Sequence, residues 1–232
     1  MPGRCHGRVG PPASSLLNAA TVVGERRRRS IAPLIPPSAA RSAGGVVLPD
    51  ASGRRRAYPA AMTVVTLTPW APKYLQLLFA ANSLEMTRYL VGPESDDEVR
   101  RRHERYLRAS AGEPPRTRMF AILADGVPVG GIGVWPSQEN DEAALETGWN
   151  VLPEWQGRGI AKLAVRLLIP IAASLADPGQ RLIANPDVAN GPSNALCQST
   201  GFAPIGEQRF PFRGGVLHTR IWARDLDGVS AQ

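Results

Sequence analysis

A short glycine-containing segment, residues 152–161 with the sequence LPEWQGRGIA, carries the clearest chemistry in this chain. An apolar stretch precedes it and a helical pattern follows it, so the segment joins a strand to a helix. Gly157 and Gly159 allow the backbone to turn tightly with its N–H groups on one side, and the start of the helix adds the positive end of the helix dipole. We therefore expect this glycine loop to bind an anion, and its form suits a pyrophosphate.

Two common nucleotide-binding loops are excluded by the sequence. A P-loop requires Lys followed by Ser or Thr after its second glycine, and the chain has no such run. The dinucleotide-binding fingerprint fails at Gly131-Ile132-Gly133, because Pro136 stands where the third glycine is needed. The expected anion therefore belongs to another class of ligand.

The glycine loop follows a regular succession of elements that begins near Met62. Ser95 with Glu98 predicts a capping box at a helix start, and Asp125-Gly126 predicts a hairpin turn. In order, we predict a strand over 63–67, a helix opened by Pro69 and running to Phe79, helical residues 84–90, a charged helix from Ser95 through Tyr106 whose charges form a solvated face, strands over 119–124 and 127–135, a polar loop over 137–142, and a strand over 144–152.

After the glycine loop, the apolar spacing predicts a helix whose buried face comprises Ile160, Leu163, Ala164, Leu167, Leu168 and Ile171, with a kink or an early end at Pro170. A strand over 181–184, a helix begun by Asn190 to Ser193 and ended by Gly201, and strands over 203–212 and 216–225 complete the pattern. Antiparallel strands followed by a strand–helix–strand crossover predict an α/β (α+β) fold. Its sheet is mixed and mostly antiparallel, with about six or seven strands flanked by helices.

Residues 1–61 differ from the rest in composition. They hold ten Arg, including the run 26–29, against only Glu25 and Asp50, and they show no helical or strand period, so we predict disorder. They account for the chain's net charge of +7, and residues 62–232 have no basic excess that would favour nucleic acid. A transit peptide, a nucleic-acid or membrane tether, and a translated leader before a start at Met62 are the alternatives, and we favour the leader. The folded domain is predicted to span 62–228.

The cysteines and the apolar runs set the expected environment. Cys5 and Cys197 form neither a disulfide framework nor a metal-ligand pattern, which favours a reducing, cytoplasmic setting without a metal site. No apolar run is long enough for a membrane-spanning helix, so we expect no membrane association.

Three further matches give the glycine loop a context. Gln156-x-x-Gly159-x-Ala161, followed about thirty residues later by Asn190-x-x-Ser193 and Gly201-Phe202, resembles the GNAT superfamily of acyl-CoA-dependent N-acyltransferases. Residues 146–161, ETGWNVLPEWQGRGIA, are similar to the branch that includes the ribosomal-protein N-terminal acetyltransferases. The resemblance covers about 62–226, and it is specific for the superfamily and cofactor and weak for the acceptor.

The resemblance implies an acetyl-CoA-dependent N-acetyltransferase that acts on a primary amine of a small molecule or of a peptide or protein N-terminus. It implies that the backbone of Val151 pairs with the pantetheine arm where the sheet splays, that Asn190 bonds the pantetheine, and that Ser193 lies beside the thioester. The amides implied for the pyrophosphate are those of Gln156, Gly157, Arg158, Gly159, Ile160 and Ala161. Helix capping is the alternative role of Asn190 and Ser193.

The groups that would move protons are less defined. Glu146, on the strand before the glycine loop and on the opposite side from Thr147, is the candidate base, with a solvated or ion-paired carboxylate as the alternative. Cys197 occupies the position where many superfamily members carry Tyr, but a free Cys is more often a small buried hydrophobe. Ser193 or water is the other candidate acid.

Two functions of other classes stay open. The missing Tyr supports a non-catalytic acyl-CoA-binding sensor, and the Arg-rich tail supports a nucleic-acid- or ribosome-associated protein. The predicted partners are acetyl-CoA and an unidentified amine acceptor, and the protein is expected to be a monomer or a homodimer. We expect the acceptor pocket to be built from residues 84–106, 136–142 and 208–216. The five tryptophans are expected in the core or in a pocket wall: Trp70, Trp135, Trp149, Trp155 and Trp222.

Overall fold

The computed structural model describes residues 63–229, together with the backbone of two short strands in the N-terminal segment. These strands, β1 (Val47–Pro49) and β2 (Arg55–Ala57), pair antiparallel with each other. The disorder predicted for residues 1–61 otherwise falls outside the described residues, and it stays a prediction.

A seven-stranded sheet forms the centre of the domain, in the order β3-β4-β5-β6-β7-β9-β8. Every neighbouring pair is antiparallel except β6 and β7, which are parallel because a helix connects them. The predicted mixed, mostly antiparallel sheet is thereby confirmed. The strands are β3 (Val65–Pro69), β4 (Arg118–Ala124), β5 (Val127–Glu139), β6 (Glu142–Val151), β7 (Arg181–Ala184), β8 (Ala203–Phe212) and β9 (Gly215–Asp225).

Four helices cover the two faces of this sheet: α1 (Leu75–Ala80), α2 (Asp96–Ser110), α3 (Ile160–Leu175) and α4 (Gly191–Ser199). On one face, α3 and Cys197 of α4 share a buried cluster with Leu145, Trp149 and Val151 of β6. On the other face, α1 and α2 pack in a second cluster with Met119 and Ala121 of β4. Alternate residues of β6 therefore face different helix layers.

The predicted helices before residue 95 are partly wrong. Pro69 is the last residue of β3, and the helix begins instead with a 3-10 turn at Pro72–Tyr74 that leads into α1. Residues 84–90 form turns rather than a helix. The hydroxyl of Ser83 accepts from the Met86 amide at 3.2 Å, and the Thr87 hydroxyl donates to the Ser83 carbonyl at 2.8 Å. Such local side-chain bonds compete with a continuous helix.

The predicted helix start at Ser95 is confirmed. The prediction that the charges of this helix form a solvated face is wrong at two positions. Ser95 and Glu98 form the capping box, in which the Glu98 carboxylate accepts from the Ser95 amide at 2.7 Å. Arg102 is only 2% exposed and pairs with Glu94 at 2.7 Å. His103 is buried too, and its Nδ1 accepts from Trp70 Nε1 at 3.0 Å. These two polar residues are buried because each has a partner, which their periodicity does not reveal.

The polar stretch 137–142 is not a loop. β5 continues through Glu139, and the hairpin turns at Asn140 and Asp141, whose φ angles of 48° and 67° suit a tight turn between twisted strands. Glu139 is buried although it is charged, because Arg181 of β7 pairs with it at 2.6 Å. A cross-strand ion pair thus extends the sheet into a segment whose composition is that of a loop.

The face of α3 that is buried differs from the predicted one. Leu163 and Leu167 are 39% and 40% exposed, whereas Ile160, Ala164, Val165, Leu168, Ile169 and Ala172 are buried. Pro170 does not end the helix, which runs on to Leu175. Packing against β5, β6 and β3 offsets the backbone hydrogen bond that Pro170 removes.

The buried histidine makes stability depend on pH. Burial lowers the pKa of His103 below its ordinary value of 6.5 and outweighs the attraction of Glu104. Between that lowered pKa and 6.5 the unfolded chain binds more protons than the folded one, so we expect the free energy of unfolding to fall as the pH drops below 6.5. Urea unfolding of the wild type and His103→Asn at pH 5, 6 and 7 measures this, since the Asn carbonyl retains an acceptor for Trp70.

The contribution of His103 is measured as the difference in the pH dependence of the free energy of unfolding between the wild type and His103→Asn. His218→Asn is the matched control, because His218 is on the surface beside Glu207 and should leave this dependence in place. An unchanged pH dependence in His103→Asn would contradict the assignment.

Candidate functional site

The sheet opens between β6 and β7. Only two residue pairs join these strands, Leu145 with Leu182 and Glu146 with Ile183. Beyond them β7 keeps its pairing with β9, and residues 186–188 extend that pairing through Arg220 N–H to Pro186 C=O and Val188 N–H to His218 C=O, both at 2.9 Å. No described strand pairs with residues 147–151 on the side that β7 has left. The result is a gap between β6 and β7.

Backbone groups of β6 line this gap in a fixed pattern. The Leu152 amide donates to the Val129 carbonyl at 2.8 Å, so Leu152 belongs to a hydrogen-bonded pair with β5. In an antiparallel ladder such pairs alternate, and the next residue directs its N–H and C=O the other way. Val151 and Trp149 therefore present their backbone groups to the gap. The pairing of Val151 with a pantetheine arm stays a prediction.

The glycine loop lies at the open end of the gap. A 3-10 turn at Pro153–Trp155 leads into it, and Gly157 and Gly159 both have left-handed backbones, with φ of 73° and 76°. Gly159 caps α3, and no side chain among the described residues accepts from the first amides of the helix. A Cβ added at either glycine would meet no atom within 4 Å, so the space above the loop is open. Uncapped amides beside open space suit an anion.

The other residues of the loop hold its shape. The side-chain amide of Gln156 donates to the Val151 carbonyl at 2.8 Å, which leaves the Val151 N–H as the group of that residue directed to the gap. Arg158 lies over the Trp155 ring at 4.9 Å and donates to the Glu154 carbonyl at 2.8 Å. The Gln156 side chain thus ties the loop to the end of β6, in addition to the pyrophosphate contact that is predicted for its backbone amide.

A groove of about 290 Å³ connects the loop to α4. Its lining comes from Val151, the glycine loop and one face of α4, including Pro192, Ala195 and Leu196. A larger cavity of about 480 Å³ lies farther along α3, between Arg166 and Arg224. We assign the predicted ligand to the smaller groove, because only it combines the uncapped amides with the gap.

Asn190 and Ser193 lie at the start of α4 and are almost fully buried. Asn190 caps the helix, since its Oδ1 accepts from the Ser193 amide at 3.2 Å. Its Nδ2 and the Ser193 hydroxyl are buried without a hydrogen-bond partner among the described residues. A buried polar group without a partner costs about 1–3 kcal/mol. Helix capping and ligand binding are therefore compatible for Asn190, because they use different atoms.

Glu146 lies where the gap begins. It pairs with Ile183, the last β7 residue in register, and with Trp135 of β5. Since Leu145, Trp149 and Val151 face α3, the alternation places Glu146 on the opposite face, as predicted. The carboxylate is 4% exposed, and the Ser137 hydroxyl donates to its Oε2 at 3.0 Å. Glu146 is thus a buried carboxylate with at least one hydrogen bond, which fits neither a solvated side chain nor an unsupported base.

Cys197 lies apart from this chemistry. Its side chain is fully buried in the cluster beneath α3, and burial raises the pKa of the thiol to about 12. At neutral pH a thiol of this pKa keeps its proton and donates it poorly. The structure therefore favours the buried hydrophobe over the candidate acid.

Three contributing residues were not identified from the sequence. Asn194 accepts from Trp222 Nε1 at 2.8 Å and donates to the carbonyls of Asp187 and Asn190, so it fixes α4 against β9. Ser137 was assigned to a loop, although strict alternation with Trp135 would have placed it on the Glu146 face. Asn185 follows β7 and has a buried, unpartnered Oδ1 within the described part of the chain.

Among residues 63–229, no group of three or more His, Cys, Asp and Glu residues is arranged to hold a metal ion. In the same part of the chain, no helix has the length and apolarity needed to cross a membrane.

Solved structures share this fold. An acetyltransferase from Salmonella typhimurium that modifies the N-terminal serine of ribosomal protein L7/L12 is 18% identical, with a TM-score of 0.57 over 72% of this chain and 96% of that chain. The aminoglycoside acetyltransferase AAC(6')-Ib in complex with coenzyme A is 17% identical, with a TM-score of 0.56 over 69% and 94%. The putative acetyltransferase yncA from Salmonella typhimurium, with its cofactor acetyl-CoA, is 18% identical, with a TM-score of 0.55 over 72% and 96%.

A search among curated proteins found no match. The sequence profile of the acetyltransferase (GNAT) domain matches residues 65–203, which is more than half of the chain and includes the gap, the glycine loop and α4. The chain belongs to the GNAT acetyltransferase family.

Proposed function

We propose that this protein is an N-acetyltransferase that uses acetyl-CoA and acetylates a primary amine, with Glu146 as the base. The observation that carries the proposal is the combination of the gap between β6 and β7 with the uncapped glycine loop at its open end. Coenzyme A or acetyl-CoA is bound by structural neighbours of this fold. The proposal for this chain depends on the fit of its own residues.

The residues present fit acetyl-CoA. The amides of Gln156 to Ala161 would hold the pyrophosphate, and the open space beside Gly157 and Gly159 admits it. The backbone of Val151 would pair with the pantetheine arm, whose amides match a strand edge. Asn190 Nδ2, which is buried and unpartnered among the described residues, would donate to a pantetheine carbonyl. Ser193 would then lie beside the thioester, where its unpartnered hydroxyl also finds a ligand.

Bound acetyl-CoA supplies a thioester whose carbonyl carbon accepts the amine. The β6 N–H groups directed to the gap would donate to the thioester oxygen, which favours the charge that develops there. Glu146 would accept the proton of the amine, directly or through water, from the face opposite α3. The Ser137 hydroxyl donates to Oε2 of this carboxylate and so helps to orient it. The Ser193 hydroxyl or water would give a proton to the departing CoA thiolate, which leaves as the thiol, since Cys197 is unsuited to that role.

The experiment that tests the proposal measures CoA thiol release from acetyl-CoA with a panel of primary amines and short peptides. Release that requires both acetyl-CoA and an amine supports the proposal. Tight acetyl-CoA binding without release for any amine would instead indicate an acyl-CoA sensor. Loss of salt-sensitive RNA binding on removal of residues 1–61 would indicate the nucleic-acid alternative.

Gly159→Trp tests the glycine loop. The Trp side chain would occupy the open space above the loop, so we expect the Kd for acetyl-CoA to rise at least tenfold by calorimetry. Gly179→Trp is the matched control, because Gly179 also has a left-handed backbone, with φ of 79°, and open space around its Cβ. Both substitutions cost about 1–2 kcal/mol of backbone strain. Equal acetyl-CoA affinities in the two variants would contradict the assignment.

Glu146→Gln tests the base. We expect kcat/KM to fall by about 10²–10⁴ near pH 7, because the Gln amide cannot accept the proton. The deficit should shrink as the pH rises through the pKa of the amine, since more of the amine is then already neutral. Glu142→Gln is the control, because Glu142 is an exposed residue on the same face of β6. A pH-independent loss of activity would argue for a structural role of Glu146.

Cys197→Ala separates packing from catalysis. We expect kcat to remain within about twofold of the wild type, because the thiol is a poor proton donor at its raised pKa of about 12. The free energy of unfolding should fall by about 1 kcal/mol, since a buried sulfur is lost from the core. If kcat instead fell by more than about tenfold while the free energy of unfolding kept the pH dependence of the wild type, Cys197 would again be a candidate acid.

A further inference from the structure

The cavity of about 480 Å³ lies between the middle of α3 and the end of α4, away from the glycine loop. Its volume falls within the range of about 300–1,000 Å³ that is typical of small-molecule sites. Its polar lining comes from the side chains of Arg166 on α3 and Arg224 on β9, and from Ser199 and Thr200 at the end of α4. The proposed N-acetyltransferase function assigns no role to these four residues.

The lining of this cavity is positively charged. An arginine side chain keeps its charge in proteins, and none of the eight residues that line the cavity is acidic. The acid next to Arg224 in the chain, Asp225, is exposed and alternates to the other face of β9. Two cations that share one cavity repel each other, and an anion between them removes that repulsion. The cavity therefore favours an anionic ligand.

The end of α4 positions Arg224. Its Nη1 donates to the Thr200 carbonyl at 2.7 Å, which places a cation at the negative end of the helix dipole. Gly201 follows with a left-handed backbone, φ of 85°, and a Cβ at this position would overlap Arg224 Nη1. Glycine is thus required both by the turn and by the guanidinium that lies against it. Arg224 Nη2 bonds to no residue of the described part of the chain, so it is left for a ligand.

Arg166 has no such anchor. It is an exposed residue of α3, and its side chain makes no hydrogen bond or ion pair with any residue between 63 and 229. A guanidinium presents several donors in a planar fork, which matches the oxygens of a phosphate. The long side chain of Arg166 can therefore turn to a ligand without breaking a contact of the fold.

The rest of the lining is mostly apolar. It comes from Ile169 and Pro170 of α3 and from Val229 after β9. A surface of this kind suits the organic part of a ligand rather than a bare hydrated anion. For the anionic part, a phosphate monoester has three terminal oxygens and nearly two negative charges at neutral pH, so two guanidiniums can bind it together. A carboxylate has two oxygens and one charge, and it matches the two arginines less well.

The cavity is separated from the glycine loop along α3. Arg166 and Pro170 lie about 9 and 15 Å beyond Ile160 at the ordinary rise of an α-helix. Ser199 lines both the cavity and the groove, so the two spaces adjoin. A CoA molecule bound by its pyrophosphate at the loop carries its 3′-phosphate on the adjoining ribose, and this phosphate stays near the loop. The far end of the cavity, at Pro170 and Val229, is therefore left for another molecule.

We propose that this cavity binds a second ligand, a phosphate monoester of a small organic molecule. Arg224, fixed at the end of α4, and Arg166, from the facing side of the cavity, bind the phosphate. Ile169, Pro170 and Val229 contact the organic part. The site is separate from that of acetyl-CoA, and it does not depend on the proposed N-acetyltransferase function.

The test uses the full-length protein with phenyl phosphate as the probe and CoA at saturation, so that the glycine loop is occupied. A ligand that binds only the folded state raises the unfolding temperature with its concentration, and this rise gives its Kd. We expect phenyl phosphate to stabilise the wild type beyond chloride at the same ionic strength. Benzoate should bind about tenfold more weakly or less, since it has fewer charge-assisted contacts. No stabilisation by phenyl phosphate, or equal affinities for the two probes, would overturn the proposal.

Arg166→Gln ties the binding to the cavity. It removes a charge without removing a hydrogen bond of the fold, and it should raise the Kd of phenyl phosphate about tenfold or more. Arg101→Gln is the matched control, because Arg101 is an exposed arginine of α2 on the other side of the sheet and should leave the Kd unchanged. Arg224→Gln should raise the Kd as well. If this variant does not fold, Arg166→Gln decides the question, and a wild-type Kd in Arg166→Gln would contradict the site.

Replacement of CoA by 3′-dephospho-CoA identifies the source of the phosphate. For a separate site, the Kd of phenyl phosphate is the same with either form bound. If CoA displaced the probe and 3′-dephospho-CoA did not, the arginines would bind the phosphate of the cofactor itself, and the second ligand would be ruled out. The failure of the proposed function is a different result, because it appears as absent CoA thiol release and leaves the binding of phenyl phosphate as it is.

Discussion

The separation of β6 from β7 is the feature on which the rest of the site depends. After two paired residues, β7 and residues 186–188 stay with β9, while β6 stays with β5. The backbone groups of Trp149 and Val151 are left directed into a gap that crosses the sheet. Glu146, the last β6 residue paired with β7, lies where this gap begins.

The neighbouring elements keep this gap open and functional. Trp222 and Asn194 join β9 to α4, which holds the β7 side of the gap. The Gln156 side chain bonds to the Val151 carbonyl and ties the glycine loop to the end of β6. Each of these contacts uses a polar group inside the protein, where an unpartnered group is costly. The unpartnered atoms of Asn190 and Ser193 stand out for this reason, and they lie at the start of α4, the helix that lines the groove beside the glycine loop.

Burial divides the candidate proton carriers into two kinds. Glu146 is buried but reaches the gap and has a hydroxyl on one of its oxygens, so its environment positions the carboxylate. Cys197 is buried among apolar groups, and this burial raises the pKa of its thiol. A similar degree of burial thus fits Glu146 as the candidate base and counts against Cys197 as the candidate acid.

Local chemistry was decided by the sequence itself. The two glycines with left-handed backbones, the Asn190 cap, the Ser95 capping box and the Asp125-Gly126 turn depend on neighbours within a few residues, so they could be predicted, as could the mixed sheet. The polar strand end at 137–139, the burial of Arg102 and His103, and the exposed Leu163 and Leu167 could not. They depend on partners outside the same strand or helix, such as Arg181, Glu94 and Trp70, and on the direction in which α3 packs. The gap between β6 and β7 is of the same kind, because it opens where β7 and residues 186–188 stay with β9, and only the tertiary structure decides which strands pair.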